Sequence, residues 1–219
     1  MPRKNNPRQT VESILAISER LFIEKGYDQT SMQNIVDALG MSKGAIFHHF
    51  GSKEEIFTAV MDRQSRDAER KISEWIGEMK NVTARKKITR LLEKILDDAQ
   101  MHDLSVLANQ NQSPHMIVAT MQDNVGNIAP MIAKIIREGI EDGSIATEFP
   151  DECAQVLFLL LNIWCIPSVF KFDSRVSRKR LLFIQHMMRQ LGADVVSNGV
   201  VTKYMAFTKN LYAEAQDNG

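Results

Sequence analysis

The sequence predicts an all-α protein, on three observations. Apolar residues recur at three- and four-residue spacing over most of the chain. Turn-formers are sparse, with 6 Pro and 11 Gly in 219 residues. The periodic stretches are bounded by capping residues or by Gly.

Val11, Ile14, Leu15, Leu21 and Phe22 give the first helix one apolar stripe, and Gly26 is suited to end it. A short polar connection, Tyr27-Asp28-Gln29-Thr30, leads to a second helix capped by Ser31 or Thr30, with Met32, Ile35, Val36 and Leu39 on its apolar face. Gly40 closes it. Ser42 caps a short third helix that turns Ile46 and Phe50 inward, and Gly51 ends it. Ser52-Lys53-Glu54-Glu55 reads as a capping box, with Glu55 reaching back to Ser52. The fourth helix is long, with Ile56, Phe57, Val60, Met61, Ala68, Ile72, Trp75, Ile76 and Met79 as its stripe.

After a break at Asn81-Val82-Thr83, Thr83 is placed to cap a fifth helix reaching about His102. Asp103 to Met121 is less regular, with a turn or broken helix over Asn109–Pro114. A helix from about Asn124 to Glu141 must kink or begin near Pro130, because proline lacks the amide donor. Asp142-Gly143 stops it. Pro150 opens a helix to about Phe170, and two more follow, near Val176–Leu191 and Val200–Ala215.

Charge and composition narrow the classes. The formal net charge is zero, yet residues 1–53 hold seven cations against five acids. Arg3, Lys4 and Arg8, with Pro2 and Pro7, read as a basic arm or as a frayed terminus. Cys153 and Cys165 are the only cysteines and lie in apolar surroundings, which fits buried, reduced thiols. Val156–Ile166 is the most apolar run and is too short for a bilayer, so no membrane association is expected and the predicted location is cytoplasmic. There is no nucleophile elbow, P-loop or dinucleotide motif, so an enzyme is not expected, nor is a cofactor. His48 and His49 are adjacent and diverge by about 100° on a helix, a poor metal pair, and no metal site is expected.

The most informative stretch is Thr30–Lys53. Two short helices meet at Gly40-Met41-Ser42, the tight turn of a helix-turn-helix. The second helix is small and polar outside, and a narrow helix with small residues suits a major groove. By periodicity alone, a structural helical bundle is an equal reading. The stretch resembles the N-terminal domain of the TetR (tetracycline-repressor-like) family. The resemblance is carried by Gly26-Tyr27, Thr30-Ser31, Ile35, Ala38, Gly40, Ser42-Lys43-Gly44-Ala45, His48-His49-Phe50 and Ser52-Lys53-Glu54-Glu55.

It implies a DNA-binding domain over residues 1–56 and a helical regulatory, effector-binding and dimerisation domain over 57–219. It also implies DNA contacts at Thr30, Ser42, Lys43, Ala45, Phe47, His48 and Lys53. Phe47 departs from the family, which commonly has Tyr there. The implied partners are a palindromic double-stranded operator, a second copy of the chain and a small effector.

An apolar effector pocket is expected near Leu92, Ile95, Met101, Met116, Met121, Phe158 and Trp164, with Gln110 and Asn111 at its mouth. Plain core packing is the competing reading for each of these residues. Leu157, Leu160, Leu161, Leu182, Ile184 and Met188 exceed what one small core demands and are expected in an isologous dimer interface. The expected function is a repressor released by its effector. The alternative is a DNA-bound protein-interaction factor with no small-molecule effector.

Overall fold

The computed structural model describes residues 7–110, 114–170 and 172–217. Among them every regular element is a helix: α1 (Pro7–Lys25), α2 (Met32–Leu39), α3 (Lys43–Phe47), α4 (Lys53–Glu78), α5 (Ala84–Asp97), α6 (Ala99–Gln110) and α7 (Pro114–Asp123). A π-helical turn (Asn124–Ile128) leads into α8 (Ala129–Glu141), and a second π-turn (Leu160–Trp164) follows α9 (Pro150–Leu159). The chain ends with α10 (Pro167–Phe170), α11 (Ser174–Gln190) and α12 (Asn198–Asp217). Contacts divide it into two units, one within Met1–Ala68 and Asp103–Asn111, the other within Glu69–His102 and Gln112–Gly219. Among the described residues no helix is long and apolar enough to cross a membrane.

The N-terminal unit closes around the stripes that the sequence lays out. Ile14 and Phe22 of α1, Ile35 of α2, Ile46 of α3, and Ile56, Phe57 and Val60 of α4 are all wholly buried. Phe22, Tyr27 and Phe57 form an aromatic triangle, with ring centroids 4.7 to 5.5 Å apart and tilted or edge-on geometry. Glu19 on α1 accepts hydrogen bonds from Arg63 and Gln64 on α4, and Glu12 lies 3.6 Å from Arg63. Side-chain packing and a half-buried ion pair therefore fix the same two helices against each other.

The second unit is built on contacts of α8 with α9 and α5, of α12 with α5 and of α11 with α12. Its core takes Ile88 and Leu91 from α5, Ile132, Ile135 and Ile136 from α8, Leu157 from α9, Leu181, Ile184 and Met188 from α11, and Val200 from α12. Cys153 and Cys165 are buried free thiols. Burial pushes the Cys165 thiol up to about 12 against the opposing pull of Arg180.

Several expected boundaries move, each for a physical reason. The fifth helix stops at Asp97 rather than near His102. Asp98 has extended backbone (ψ 125°), and its carboxylate accepts from the Met101 amide at 3.2 Å, opening α6. Burial raises the pKa of this carboxyl, but hydrogen bonds from Lys71 and from backbone amides outweigh it and hold it below the usual range. Thr83 makes no side-chain cap bond to α5. The Asp142 carboxylate reaches across to accept from Ala84 N at 2.7 Å.

The helix opened by Pro150 does not run to Phe170. It widens into the π-turn and stops at Cys165, because Pro167 has no amide donor and restricts Ile166. Pro130 is accommodated in the first turn of α8, where the π-turn ahead of it absorbs the mismatch. Of the turn expected over Asn109–Pro114, Asn109 and Gln110 are helical, Pro114 opens α7, and residues 111–113 lie outside the described residues.

Candidate nucleic-acid interface

Local capping chemistry sets the geometry of α2 and α3. Ser31 is the N-cap of α2, and its hydroxyl accepts from Asn34 N at 3.1 Å while Asn34 Oδ1 accepts from Ser31 N at 2.9 Å. Asn therefore fills the place that Glu or Gln usually takes in a capping box. Gly40 ends α2 in the left-handed region (φ 61°), where a side chain would be strained, so the chain can turn at once into α3. Ser42 caps α3 by accepting from Ala45 N at 3.3 Å. At the start of α4, Ser52 accepts from Glu55 N at 3.1 Å as expected, but Glu55 reaches one residue further back, to Gly51 N at 2.7 Å.

The result is a short helix anchored by Ile46 and bare on its other side. Ser42, Lys43, Gly44, Phe47 and His48 are exposed, Ala45 is half-buried, and Phe50 is half-buried toward the core. Lys43 Nζ lies 5.5 Å from the Phe47 ring centroid, so cation and ring share one face of α3. His48 stacks edge-on to His49 with centroids 5.2 Å apart. A Cβ added to Gly44 would meet nothing within 4 Å. Packing inside this chain therefore does not require glycine there, and its helix propensity is poor. Its smallness is useful only to something that approaches from outside.

Two expected contact residues have internal roles. Thr30, expected to touch phosphate, is 1% exposed. Its hydroxyl lies within hydrogen-bonding distance of Gly26 O at 2.8 Å and Leu21 O at 3.2 Å, tying the α1–α2 connection to the end of α1. The sequence places Thr30 next to the interface, but the fold turns its side chain inward, and exposed Ser31 stands at that helix start instead. Lys53 is half-buried and donates to Tyr27 O at 2.7 Å, with its ammonium 4.0 Å from the Tyr27 ring. Burial, then the Glu54 and Asp28 carboxylates, raise the Tyr27 pKa above its ordinary value. Gly44 and Ser31 are exposed beside the expected contact residues but were not among them, and the missing packing reason for Gly44 is visible only in three dimensions.

The residues expected at an effector pocket differ in burial. Leu92, Met101 and Phe158 are buried, Ile95 and Trp164 are half-buried, and Met121 is exposed. Trp164 packs edge-on to Phe183 at 5.9 Å and stacks under the Arg180 guanidinium at 4.7 Å. The side chains of Gln110 and Met116, and the whole of Asn111, lie outside the described residues.

The residues expected at a dimer interface divide in a similar way. Leu157, Ile184 and Met188 are wholly buried within the chain and Leu161 nearly so, which corrects their assignment to a surface. They belong to the core of the second unit, Leu157 on α9, Leu161 on the π-turn that follows it, and Ile184 and Met188 on α11. Leu160 is half-buried and Leu182 exposed, and exposed Val156 and Phe183 lie on the same two segments.

Comparison with known proteins finds similarity in sequence and in fold. Residues 14–60 match the family described as bacterial regulatory proteins, tetR family. The chain is 26% identical over 152 residues to the transcriptional repressor AcnR of Corynebacterium glutamicum, covering 68% of this chain and 75% of that one. It is 47% identical over 47 residues to the repressor Rv1474c of Mycobacterium tuberculosis, a match that covers 22% of this chain and 25% of that one. In fold it resembles a transcriptional regulator from Cytophaga hutchinsonii (TM-score 0.63, 18% identity, 86% of this chain and 99% of that one). It also resembles a regulator from Saccharomonospora viridis in complex with choline (TM-score 0.61, 22% identity, 82% of this chain and 97% of that one).

Proposed function

We propose that this chain, whose residues 14–60 match the family described as bacterial regulatory proteins, tetR family, is a dimeric repressor that reads a palindromic operator with α3 and leaves it when a small molecule binds the second unit. The carrying observation is the bare face of α3, where Lys43, Gly44 and Phe47 are exposed on a helix anchored from behind by Ile46. A helix entering a major groove needs such a narrow face and a rigid back. The names of the AcnR relatives support repression. The choline complex of the Saccharomonospora viridis regulator supports a small-molecule effector. In a dimer the two α3 helices would sit about 34–36 Å apart, one turn of DNA.

Gly44→Leu tests the reading directly. A Cβ there has open space and leucine favours a helix over glycine by up to about 1 kcal/mol, so the fold should hold or gain stability. Binding to a DNA site selected from a random pool should weaken by at least about tenfold, or 1.4 kcal/mol. Circular dichroism and a gel-shift titration measure the two effects separately. Unchanged DNA affinity would mean that α3 does not enter a groove.

Phe47→Tyr probes the departure from the family pattern. Phe47 is 40% exposed, so an added hydroxyl meets solvent in the free protein and the fold is unaffected. In the complex the hydroxyl would donate to a phosphate. Hydrogen bonds to charged groups contribute about 1.5–3 kcal/mol, less here because water is displaced. Phosphate contacts position without reading sequence. Specific and non-specific DNA should therefore both bind more tightly at one fixed salt concentration. A gain confined to one operator, or a loss, would instead place the Phe47 ring against a base.

A further inference from the structure

In the second unit, α5, the end of α11, the 191–197 connection and the start of α12 line an open cleft of about 430 Å³. It shares none of the apolar residues expected to hold an effector. Arg85, Lys86, Arg90 and Arg189 line it, with Asp194 as the one carboxylate and Thr89, Gln185, Ser197 and Asn198 as neutral polar groups. The whole chain balances 27 cations with 27 acids, so four cations around one acid is a local concentration and not a basic background. Glu93 accepts from Ser197 Oγ at 3.2 Å at the edge, and even with it the cations outnumber the carboxylates.

The cleft is ordered from inside. Asp194 lies 3.5 Å from Arg85 and 3.3 Å from Arg189, so one carboxylate holds two guanidinium groups in place. Each guanidinium has five donors, and these contacts leave several of them for another acceptor. Gln185 is buried, donating to Val196 O at 2.9 Å and to Asn198 Oδ1 at 3.1 Å. Thr89 Oγ1 bonds to Val195 O at 2.9 Å. The 191–197 connection is thus fixed to α5 and to α11. Lys86 and Arg90 are exposed, stand one helical turn apart on α5, and make no ion pair with a described residue.

We propose that this cleft binds a compact oxyanion carrying two or more negative charges, a phosphate ester or a polycarboxylate. Guanidinium groups recognise both through paired N–H donors. The volume falls in the range of small-molecule sites, and the cations converge on it from two helices, Arg85, Lys86 and Arg90 from α5 and Arg189 from α11.

The test uses the full chain, titrated calorimetrically with inorganic pyrophosphate and separately with succinate at fixed ionic strength. At least one should bind with a dissociation constant below about 1 mM, corresponding to 4.1 kcal/mol. Which of them binds identifies the source of the oxyanion. The double variant Lys86→Glu/Arg90→Glu changes exposed side chains only and should weaken that binding by at least about tenfold through charge repulsion. Should that variant misfold by circular dichroism, Arg189→Gln supplies the same readout. Failure of both anions to bind, or binding that the variants leave unchanged, overturns the site. A variant that alters DNA affinity alone would assign the patch to nucleic acid and overturn it as well. DNA binding by the unmodified chain is read independently, so the regulator reading stands or falls separately.

Discussion

Phe57→Ala should destabilise the N-terminal unit by about 3–5 kcal/mol, the usual cost of truncating a buried phenylalanine. Phe57 is wholly buried, and its ring meets Phe22 at 5.4 Å and Tyr27 at 4.7 Å. Truncation removes two of the three contacts in that triangle along with the buried area. The lost volume also lies beside the Lys53–Tyr27 contact, which joins the start of α4 to the α1–α2 connection. The cavity therefore loosens the base on which α2 and α3 stand. Peptide-resolved amide exchange is the suitable measurement, because both tryptophans, Trp75 and Trp164, belong to the other unit. Exchange should accelerate across α1–α3 and much less across α8 and α9. Equal acceleration throughout would mean that the two units unfold as one, and no acceleration would mean that the aromatic triangle is not what holds the N-terminal unit.

Phe183→Glu should turn a dimer into a monomer. Phe183 is 54% exposed, with Trp164 edge-on to its ring, and Leu182 and Val156 are each 36% exposed, so α11 and α9 carry large apolar side chains that one chain covers only in part. A second copy meeting these side chains isologously would bury them on both protomers. A carboxylate at the centre of that contact would face its own symmetry mate, adding repulsion to lost burial. In the free chain the change gives up the edge-on contact with Trp164 at a position that is more than half exposed, so the fold should survive at modest cost. Light scattering at micromolar concentration should report the size falling by half. Operator affinity should drop by roughly 10²–10⁴, because two half-sites would no longer be bound as one. A variant that stays dimeric would move the interface elsewhere, and a parent chain that is already monomeric would remove the premise.

Much of the fold is legible in the sequence because helices announce themselves locally. Val11 to Phe22, Met32 to Leu39 and Ile56 to Met79 carry their periodicity within a few turns, and Ser31, Gly40, Ser42 and Ser52 mark ends by chemistry confined to four residues. The Thr30–Lys53 stretch could be read as two short helices about a tight turn for the same reason, while its reading as a DNA-binding helix-turn-helix rested on the resemblance to a known family. Boundaries failed where a distant group intervened. Thr83 looks like a cap, but Asp142, far along the chain, supplies the acceptor.

The sequence alone determined the helical class, the position of the turn at Gly40 and the identity of the residues that α3 can offer. Tertiary structure decided which of those residues face outward. Thr30 and Ser31 are neighbours of nearly the same chemistry, yet one hydroxyl is 1% exposed and the other stands in solvent. Leu157 and Leu160 are both apolar residues of one helical segment, yet one is core and the other half-covered surface. Hydrophobicity records that a side chain prefers burial, but whether its own chain or a second one supplies the cover depends on long-range packing that no local pattern encodes.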